Sequence, residues 1–301
     1  MFLTDYAALK TIGRSLDAPN PKGWMNVLIH AKGNAQEIPV HTTSLSLYSV
    51  FSGLELHQVG RARFAVTPDR YLLLNDNQRH AHRIEDNTEV LAIRFRTGLG
   101  ADVYSAAALP PEKQLDNPDL RLPLEFYERT YPRDTRLSQF MGFLRAFIWA
   151  EVTQDPLEQA LHPIVEHLLV LHRNLESDIE RLPAAKRSTR EELFRRLHIA
   201  RDFIEASYLE PINLFSIADV VNLSPHHFLR LFKQTFELAP YQFVTHKRLE
   251  LAKKWLTETD KDVTDICFDL GFDSLGTFSR NFKARFRVAP TQYRLASRVK
   301  S

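Results

Sequence analysis

The feature that most constrains this chain is a unit that it contains twice, fifty residues apart. Residues 224–243 (SPHHFLRLFKQTFELAPYQF) and 274–293 (SLGTFSRNFKARFRVAPTQY) agree at nine of twenty positions. The identical pairs include Ser224/Ser274, Phe228/Phe278, Arg230/Arg280, Phe232/Phe282, Lys233/Lys283, Phe236/Phe286 and Pro240/Pro290. Unrelated segments would share about one position. Whatever fold one copy takes, the other must take as well. Two copies are too few for a stacked solenoid and suit a pair of similar subdomains.

Each copy follows a short apolar-periodic stretch, Ile217–Val221 in the first and Val263–Leu270 in the second. A tight turn comes next, at Asn222-Leu223 or at Gly271-Phe272-Asp273. Gly271 can take the positive φ that a turn past a helix end requires. Ser224 and Ser274 stand where an N-cap belongs, and Pro225 at the first helical position forfeits no hydrogen bond. Helix, tight turn and capped helix make a helix-turn-helix. The second helix of each copy sends Phe228, Leu231 and Phe232, or Phe278 and Phe282, to a core. Arg230, Lys233, Arg280 and Lys283 then face outward. Arg can bond a guanine edge twice, and Lys can neutralise a phosphate. The plainer alternative is a set of solvated surface cations. Recurrence at the same helical position in both copies favours the groove-reading role. Between the copies, Pro240–Leu256 reads as a helix of about 25 Å. Once helix widths are added, this spacing suits recognition helices one DNA turn, about 34 Å, apart.

The N-terminal half has another period. Met25–His30, Ser44–Phe51, Arg63–Val66, Tyr71–Leu74 and Val90–Phe95 alternate apolar and polar residues, with turn signals between them, so residues 24–96 are predicted to form a small sandwich or barrel. From about Glu125 the spacing becomes helical. Phe140, Phe143, Leu144, Phe147 and Ile148 line one face, and Leu161, Ile164, Val165, Leu168, Leu169 and Leu171 another, with Pro163 expected in the first turn. His162, His167 and His172 are read as helix-surface polarity. Residues 180–189 (ERLPAAKRST) read as a linker.

Charge follows the same division. The 301 residues carry 39 Lys+Arg and 37 Asp+Glu, a net +2 that suggests indifference to nucleic acid. Residues 186–301 nevertheless hold 20 basic and 14 acidic side chains, and residues 1–185 hold 19 and 23, so a +6 part is joined to a −4 part. Apolar residues at 44% and charged residues at 25% are the balance of a soluble globular protein. No apolar run approaches 18 residues, and the start (MFLTDYAALKT) lacks a basic stretch before an apolar one. Neither a membrane span nor a secretory signal is expected. The single cysteine, Cys267, excludes an internal disulfide and a cysteine-based zinc site, fits a reducing cytoplasm, and is expected to be a packing thiol.

Residues 190–298 resemble the DNA-binding domain of AraC/XylS-type bacterial transcription regulators. The residues that carry this are Ser224-Pro225-x2-Phe228-x-Arg230-x-Phe232-Lys233, Arg248-Leu249-x2-Ala252, Ile266-x4-Gly271-Phe272-x-Ser274-x3-Phe278-Ser279-Arg280-x-Phe282-Lys283 and Pro290-x2-Tyr293-Arg294. The resemblance implies two successive major grooves of double-stranded promoter DNA. Carried over to this chain, the DNA-binding set is Ser224, His226, Leu229, Arg230, Lys233, Gly276, Thr277, Ser279, Arg280 and Lys283. Leu229 stands at a position more often polar in the family, where it either meets a thymine methyl or packs. Arg287 stands where glycine is common, which either strains a helix end or adds a phosphate contact. The first domain resembles the cupin-like sensor of the same regulators through Asp69-x5-Asn75-x-Asn77-x2-His80, of which only the histidine and the spacing survive. The expected fold is α+β. A cupin-like β-barrel (1–120) is followed by a helical dimerisation and linker segment (121–185) and an all-α domain with two helix-turn-helix units (186–301). The implied protein is a cytoplasmic, non-enzymatic, ligand-responsive activator, homodimeric, with a small-molecule effector and RNA polymerase as partners and no membrane contact.

The expected effector pocket is Trp24, His41, Tyr48, His57, Arg63 and His80, with Asn75 considered beside them. Arg94 is expected to point outward if Leu91, Ile93 and Phe95 line the core. His80 and His82 would share a strand face and could ligate a metal. Glu55 and His57 lie upstream, but no third ligand is evident, so no metal and no cofactor are expected. Two alternatives remain: a metal-dependent cupin enzyme fused to a DNA-binding module, and a constitutive DNA binder without an effector.

Overall fold

The computed structural model describes residues 2–3, 26–148 and 154–298. Trp24 and the side chains of Phe147 and Ile148 lie outside what is described. The chain forms two compact units, Met1–Asp202 and Phe203–Ser301.

Among the described residues of the first unit, ten strands make two sheets. The six-stranded sheet has the order β1 (Phe2–Leu3), β2 (Val27–Gly33), β9 (Thr88–Arg94), β4 (Ser46–Ser52), β7 (Arg70–Leu74), β10 (Thr130–Pro132). The four-stranded sheet has the order β3 (Gln36–Thr43), β8 (Gln78–Ile84), β5 (Glu55–Val59), β6 (Ala62–Val66). Pairing is antiparallel except between β1 and β2. The expected closed barrel is therefore corrected to two separate sheets packed face to face, since no described strand pairs from one sheet to the other. Alternating residues send two periods of side chains to two different cores. Ile29, Tyr48, Val50, Leu72, Leu74, Val90 and Ala92 meet Ile38, Phe64, Val66 and Ile84 between the sheets.

The other face of the six-stranded sheet presents Leu28, Leu47, Tyr71, Leu73, Leu91, Ile93 and Phe95 to helices. These are α1 (Leu99–Ala108), α3 (Thr135–Ile148) and α4 (Gln154–Asn174), which contribute Leu99, Val103, Leu137, Met141, Leu144, Leu161, Ile164, Val165 and Leu168. The apolar faces of α3 and α4 thus cover the sheet, although Phe143 and Val170 stay about half exposed. Pro163 lies inside α4, not in its first turn. His167 is buried and bonded to Asp134 Oδ2 at 2.8 Å, a correction to its expected surface position. Short helices α2 (Pro111–Asp116) and α5 (Glu176–Glu180) and the long α6 (Arg187–Ser207) complete the order.

The strands foreseen from alternation correspond to β2, β4, β6, β7 and β9. The unforeseen β3, β5 and β8 (QEIPVHTT, ELHQV, QRHAHRI) carry polar side chains on their inner face. The apolar pattern that betrays a half-buried strand is absent there.

The second unit is helical: α7 (Leu214–Val220), α8 (Pro225–Phe236), α9 (Pro240–Glu258), α10 (Val263–Asp269), α11 (Leu275–Phe286) and α12 (Pro290–Arg298). Ile266, Cys267, Leu270, Phe272, Phe278 and Phe282 pack on Leu249, Ala252 and Leu256 of α9. Cys267 is fully buried, and burial pushes its thiol pKa up, as a packing cysteine requires.

Candidate functional site

The duplicated units are two helix-turn-helix elements. In the first, Asn222 takes φ 50 and the Leu223 N–H closes on Ala218 O at 3.0 Å. In the second, Gly271 takes φ 70 and the Phe272 N–H closes on Cys267 O at 3.1 Å. The positive φ was foreseen only at the glycine. Asn fills the same role in the first turn because its short polar side chain tolerates this region. Ser224 Oγ accepts from the His227 N–H and Ser274 Oγ from the Thr277 N–H, so both predicted caps form.

The caps set the rotation of α8 and α11. Phe228, Leu231 and Phe232, and Phe278 and Phe282, are fully buried. His226, Arg230, Lys233, Gly276, Arg280 and Lys283 are exposed with the cap serines, while Leu229, Thr277 and Ser279 are half-buried. The ten DNA-contact candidates therefore fall on the capping turns and outer faces of the two second helices. Leu275, at the first position of α11, is 40% exposed beside them and was not singled out in the sequence. Many other cations of the chain are engaged: Arg285 grips Glu250 Oε1 through Nε and Nη2 at 3.0 and 2.6 Å, and Lys247 reaches Glu205 at 2.9 Å. Among the described residues no intramolecular ion pair or hydrogen bond engages the side chains of Arg230, Lys233, Arg280 or Lys283.

The expected effector residues divide. The inner face of β3, β8 and β5 brings together His41, His80, His82, His57 and Glu55, each at most 5% exposed. Cross-strand register aligns His41 with His80 and His57 with His82. Tyr48 of β4 lies against them, its ring 4.5 Å from His57 and 5.4 Å from His80. His41 reaches this face through a bulge: the register shifts between Ile38 and His41, which reverses the alternation, and Pro39 sits within the irregularity. Arg63 does not join them. It is half-buried, next to the inward Ala62 and Phe64 on β6, so alternation gives it the other face. Asn75 instead ties Phe126 and Glu128 to the end of β7.

Arg94 corrects its expected outward placement. Leu91, Ile93 and Phe95 do line a core, but it is the one under the helices. Arg94 shares the opposite face with Val90 and Ala92, is 5% exposed, and its Nη2 donates to His41 Nε2 at 2.8 Å. Because guanidinium only donates, His41 carries its proton on Nδ1, which faces Pro39 O at 3.0 Å.

His82 Nδ1 bonds Glu55 Oε1 at 2.6 Å, and His57 Nε2 stands 3.4 Å from the same oxygen. Burial depresses His41, aided by the Arg94 charge, to a pKa of about 3. Burial takes His82 to about 4 against the upward pull of Glu55, and lowers His80 further still. For Glu55, burial pushes upward but the charge and hydrogen bonding of His57 and His82 prevail, leaving it at about 2. At neutral pH the cluster therefore holds an ionised carboxylate and, at His41, His80 and His82, neutral imidazoles. His41 supplies the third donor that linear reading did not find beside His80 and His82, and a second group, Glu55–His57–His82, forms around His82; each gathers its ligand atoms within 4.8 Å.

A family model described as a helix-turn-helix domain matches residues 217–296. A probable transcriptional regulator, LumQ of Photobacterium leiognathi, is 23% identical over 230 residues, covering 76% of this chain and 80% of that protein. The lactose operon transcription activator of Staphylococcus xylosus is 30% identical over 95 residues, 32% of this chain, and the match spans only 34% of that relative. Among solved structures, the C-terminal domain of AraT, a response regulator from Geobacillus stearothermophilus, is 29% identical with a TM-score of 0.32, covering 34% of this chain and 84% of that one.

Proposed function

We propose that this chain is a transcription regulator of the AraC/XylS family that reads DNA through its two helix-turn-helix units. Helices α8 and α11 enter successive major grooves of double-stranded promoter DNA. Arg230 and Arg280 read base edges. Lys233 and Lys283 meet phosphates, with the N-terminal turns capped by Ser224 and Ser274 facing the backbone. His226, Leu229, Gly276, Thr277 and Ser279 complete the contacting surface. The observation that carries this is one pair of exposed cations, an Arg and a Lys, placed twice at equivalent helical positions and left without an internal anion. α9, 19 residues long and about 28 Å, is the spacer that suits a separation of one helical turn.

The first unit is the sensor in this proposal, and the protein acts as a homodimeric, effector-responsive activator in the cytoplasm that contacts RNA polymerase and performs no catalysis. The half-exposed Phe143 and Val170 on α3 and α4 support a self-association face. No helix among the described residues is long and apolar enough to cross a membrane. The test is binding of the full chain to its promoter fragment, with Arg230→Ala and Arg280→Ala. Each substitution is expected to weaken binding by about 5- to 150-fold, from about 1–3 kcal/mol per bidentate contact, and to relax preference at one half of the site. Unchanged affinity and preference in both variants would overturn the assignment.

A further inference from the structure

The buried cluster of the first unit has donors that its own hydrogen bonds do not use. Neither ring nitrogen of His80 has a hydrogen-bond partner, nor have His57 Nδ1 and Glu55 Oε2. Leaving such groups unpaired inside a protein costs about 1–3 kcal/mol each. Two adjacent strands, β5 and β8, nevertheless aim them at one another from the same face.

We propose that Glu55, His57 and His82, joined by His80, form a site for one divalent first-row transition ion. Resting on the regulator reading above, we further propose that this ion is the effector to which DNA binding responds. Four features of the cluster support this. Imidazole nitrogen with one carboxylate oxygen suits Zn(II), Co(II), Ni(II) or Fe(II), and not the all-oxygen shells of Ca(II) or Mg(II). Glu55 is 0% exposed and its Oε2 has no hydrogen-bond partner, so a divalent cation supplies the partner that this buried carboxylate oxygen lacks. The ligand atoms of Glu55, His57 and His82 lie within 4.8 Å of one another. Closing to the edges of a tetrahedral shell, about 3.3 Å for metal–nitrogen bonds of about 2.0 Å, asks each atom to move by less than about 1 Å. Finally, His80 extends the set to four, its ring 5.4 Å from His82 and 5.6 Å from His57.

The overlapping triad through His41 is the weaker choice. The one lone pair of its neutral ring is held by Arg94 at 2.8 Å, and that guanidinium would repel an ion drawn towards it. The dense packing of rings, with centroids 4.3–5.7 Å apart, also fits a single ion better than an organic molecule.

The test uses the full chain stripped with a chelator and titrated with Co(II), which reports coordination through its visible absorption. One equivalent per chain with intense low-symmetry d–d bands, displaced by Zn(II), is expected. His57→Gln and His80→Gln should each weaken binding by at least tenfold and shift the bands. Circular dichroism monitors the fold of each variant, and His41→Gln serves as the contrast that keeps binding. Absence of stoichiometric uptake by the wild-type chain overturns the site, whatever the variants do. Wild-type stoichiometry and spectrum in a folded His57→Gln overturns the ligand assignment. Promoter affinity is measured in parallel with and without Zn(II). A change of at least tenfold is expected in the wild type and none in His57→Gln. Uptake without any change in DNA affinity overturns the effector role, while loss of DNA binding in both metal-free and loaded protein points to failure of the regulator reading instead.

Discussion

Arg248 Nη1 donates to the carbonyl of Gly271 at 2.6 Å, joining the middle of α9 to the turn of the second helix-turn-helix. Its Nε and Nη2 reach Tyr208 O at 2.8 Å and Glu210 O at 3.3 Å, on the chain leading into the first. One guanidinium thus satisfies three carbonyls, one in the turn of the second helix-turn-helix and two on the chain that leads into the first. Gly271 permits this, since a Cβ there would stand 3.0 Å from Arg248 Nη1 on a backbone at φ 70. Arg248→Ala is expected to destabilise the second unit by about 2–3 kcal/mol, from lost charge-assisted hydrogen bonds. Arg248→Lys should rescue little, because an ammonium lacks the planar fork. Urea unfolding of both variants checks this, and Gly271→Ala with the Arg248→Ala/Gly271→Ala double variant completes a double-mutant cycle. Additive costs would mean that the two residues act independently.

Promoter affinity should separate the arginines from the lysines. Lys233→Ala and Lys283→Ala are expected to weaken binding to specific and non-specific DNA alike. Each should also reduce the log–log salt slope by about one, as the loss of one phosphate contact does. Arg230→Ala and Arg280→Ala should act chiefly on the specific site. Titrations at several salt concentrations, against promoter and scrambled duplexes, distinguish the two behaviours. A lysine variant with an unchanged salt slope would contradict its phosphate role.

The helix-turn-helix units were legible because everything that shapes them is local. Cap serine, first-turn proline and apolar spacing lie within a dozen residues, and each appears twice. His41, Tyr48, His57 and His80 were named together from the sequence, but the geometry of the buried cluster was not legible, for three physical reasons. Its residues come from strands whose inner face is polar, so alternation of apolar residues does not reveal them. The bulge at Pro39-Val40 reverses the direction that counting by two assigns to His41. Arg94 lies on a strand whose seven residues are all buried, so a neighbour pointing to a core no longer implies that it points to water. Closure is equally non-local: the strands β2, β4, β7 and β9 were foreseen, but alternation alone does not distinguish a barrel from two stacked sheets.

Glu237 and Arg287, fifty positions apart, both end the second helix of a helix-turn-helix in the left-handed region, at φ 59 and φ 69. The Arg287 N–H closes the helix on Lys283 O at 2.8 Å, so the conformation serves the cap. A side chain there carries a steric cost that glycine avoids, partly offset by the greater freedom of glycine in the unfolded chain. Arg287→Gly and Glu237→Gly are each expected to stabilise the second unit by about 0.5–1 kcal/mol. Thermal melts of the full chain should show its transition rising by a few degrees. A fall in midpoint would show that the side chains contribute more than the strain costs.

The buried imidazoles make the metal-free first unit sensitive to acid in a window set by their own shifts. His41 and His82 have folded-state pKa values of about 3 and about 4 against 6.5 for an unperturbed histidine, and His80 lies lower still. As the pH falls through 6.5 the unfolded chain binds protons that the folded chain refuses. Their contribution is therefore complete above about pH 6.5 and is lost progressively below it. Each group withdraws stability on the order of 2 kcal/mol by pH 5. Glu55 adds nothing to this window, because its depressed pKa of about 2 matters only below the unfolded value of 4.5. In chelator, the melting temperature of the first unit should fall steadily from pH 7 to pH 5. His80→Gln, which removes one such group without removing a hydrogen bond, should show a shallower fall. A midpoint independent of pH across that range would mean that these histidines are charged, or reached by water, in the folded protein.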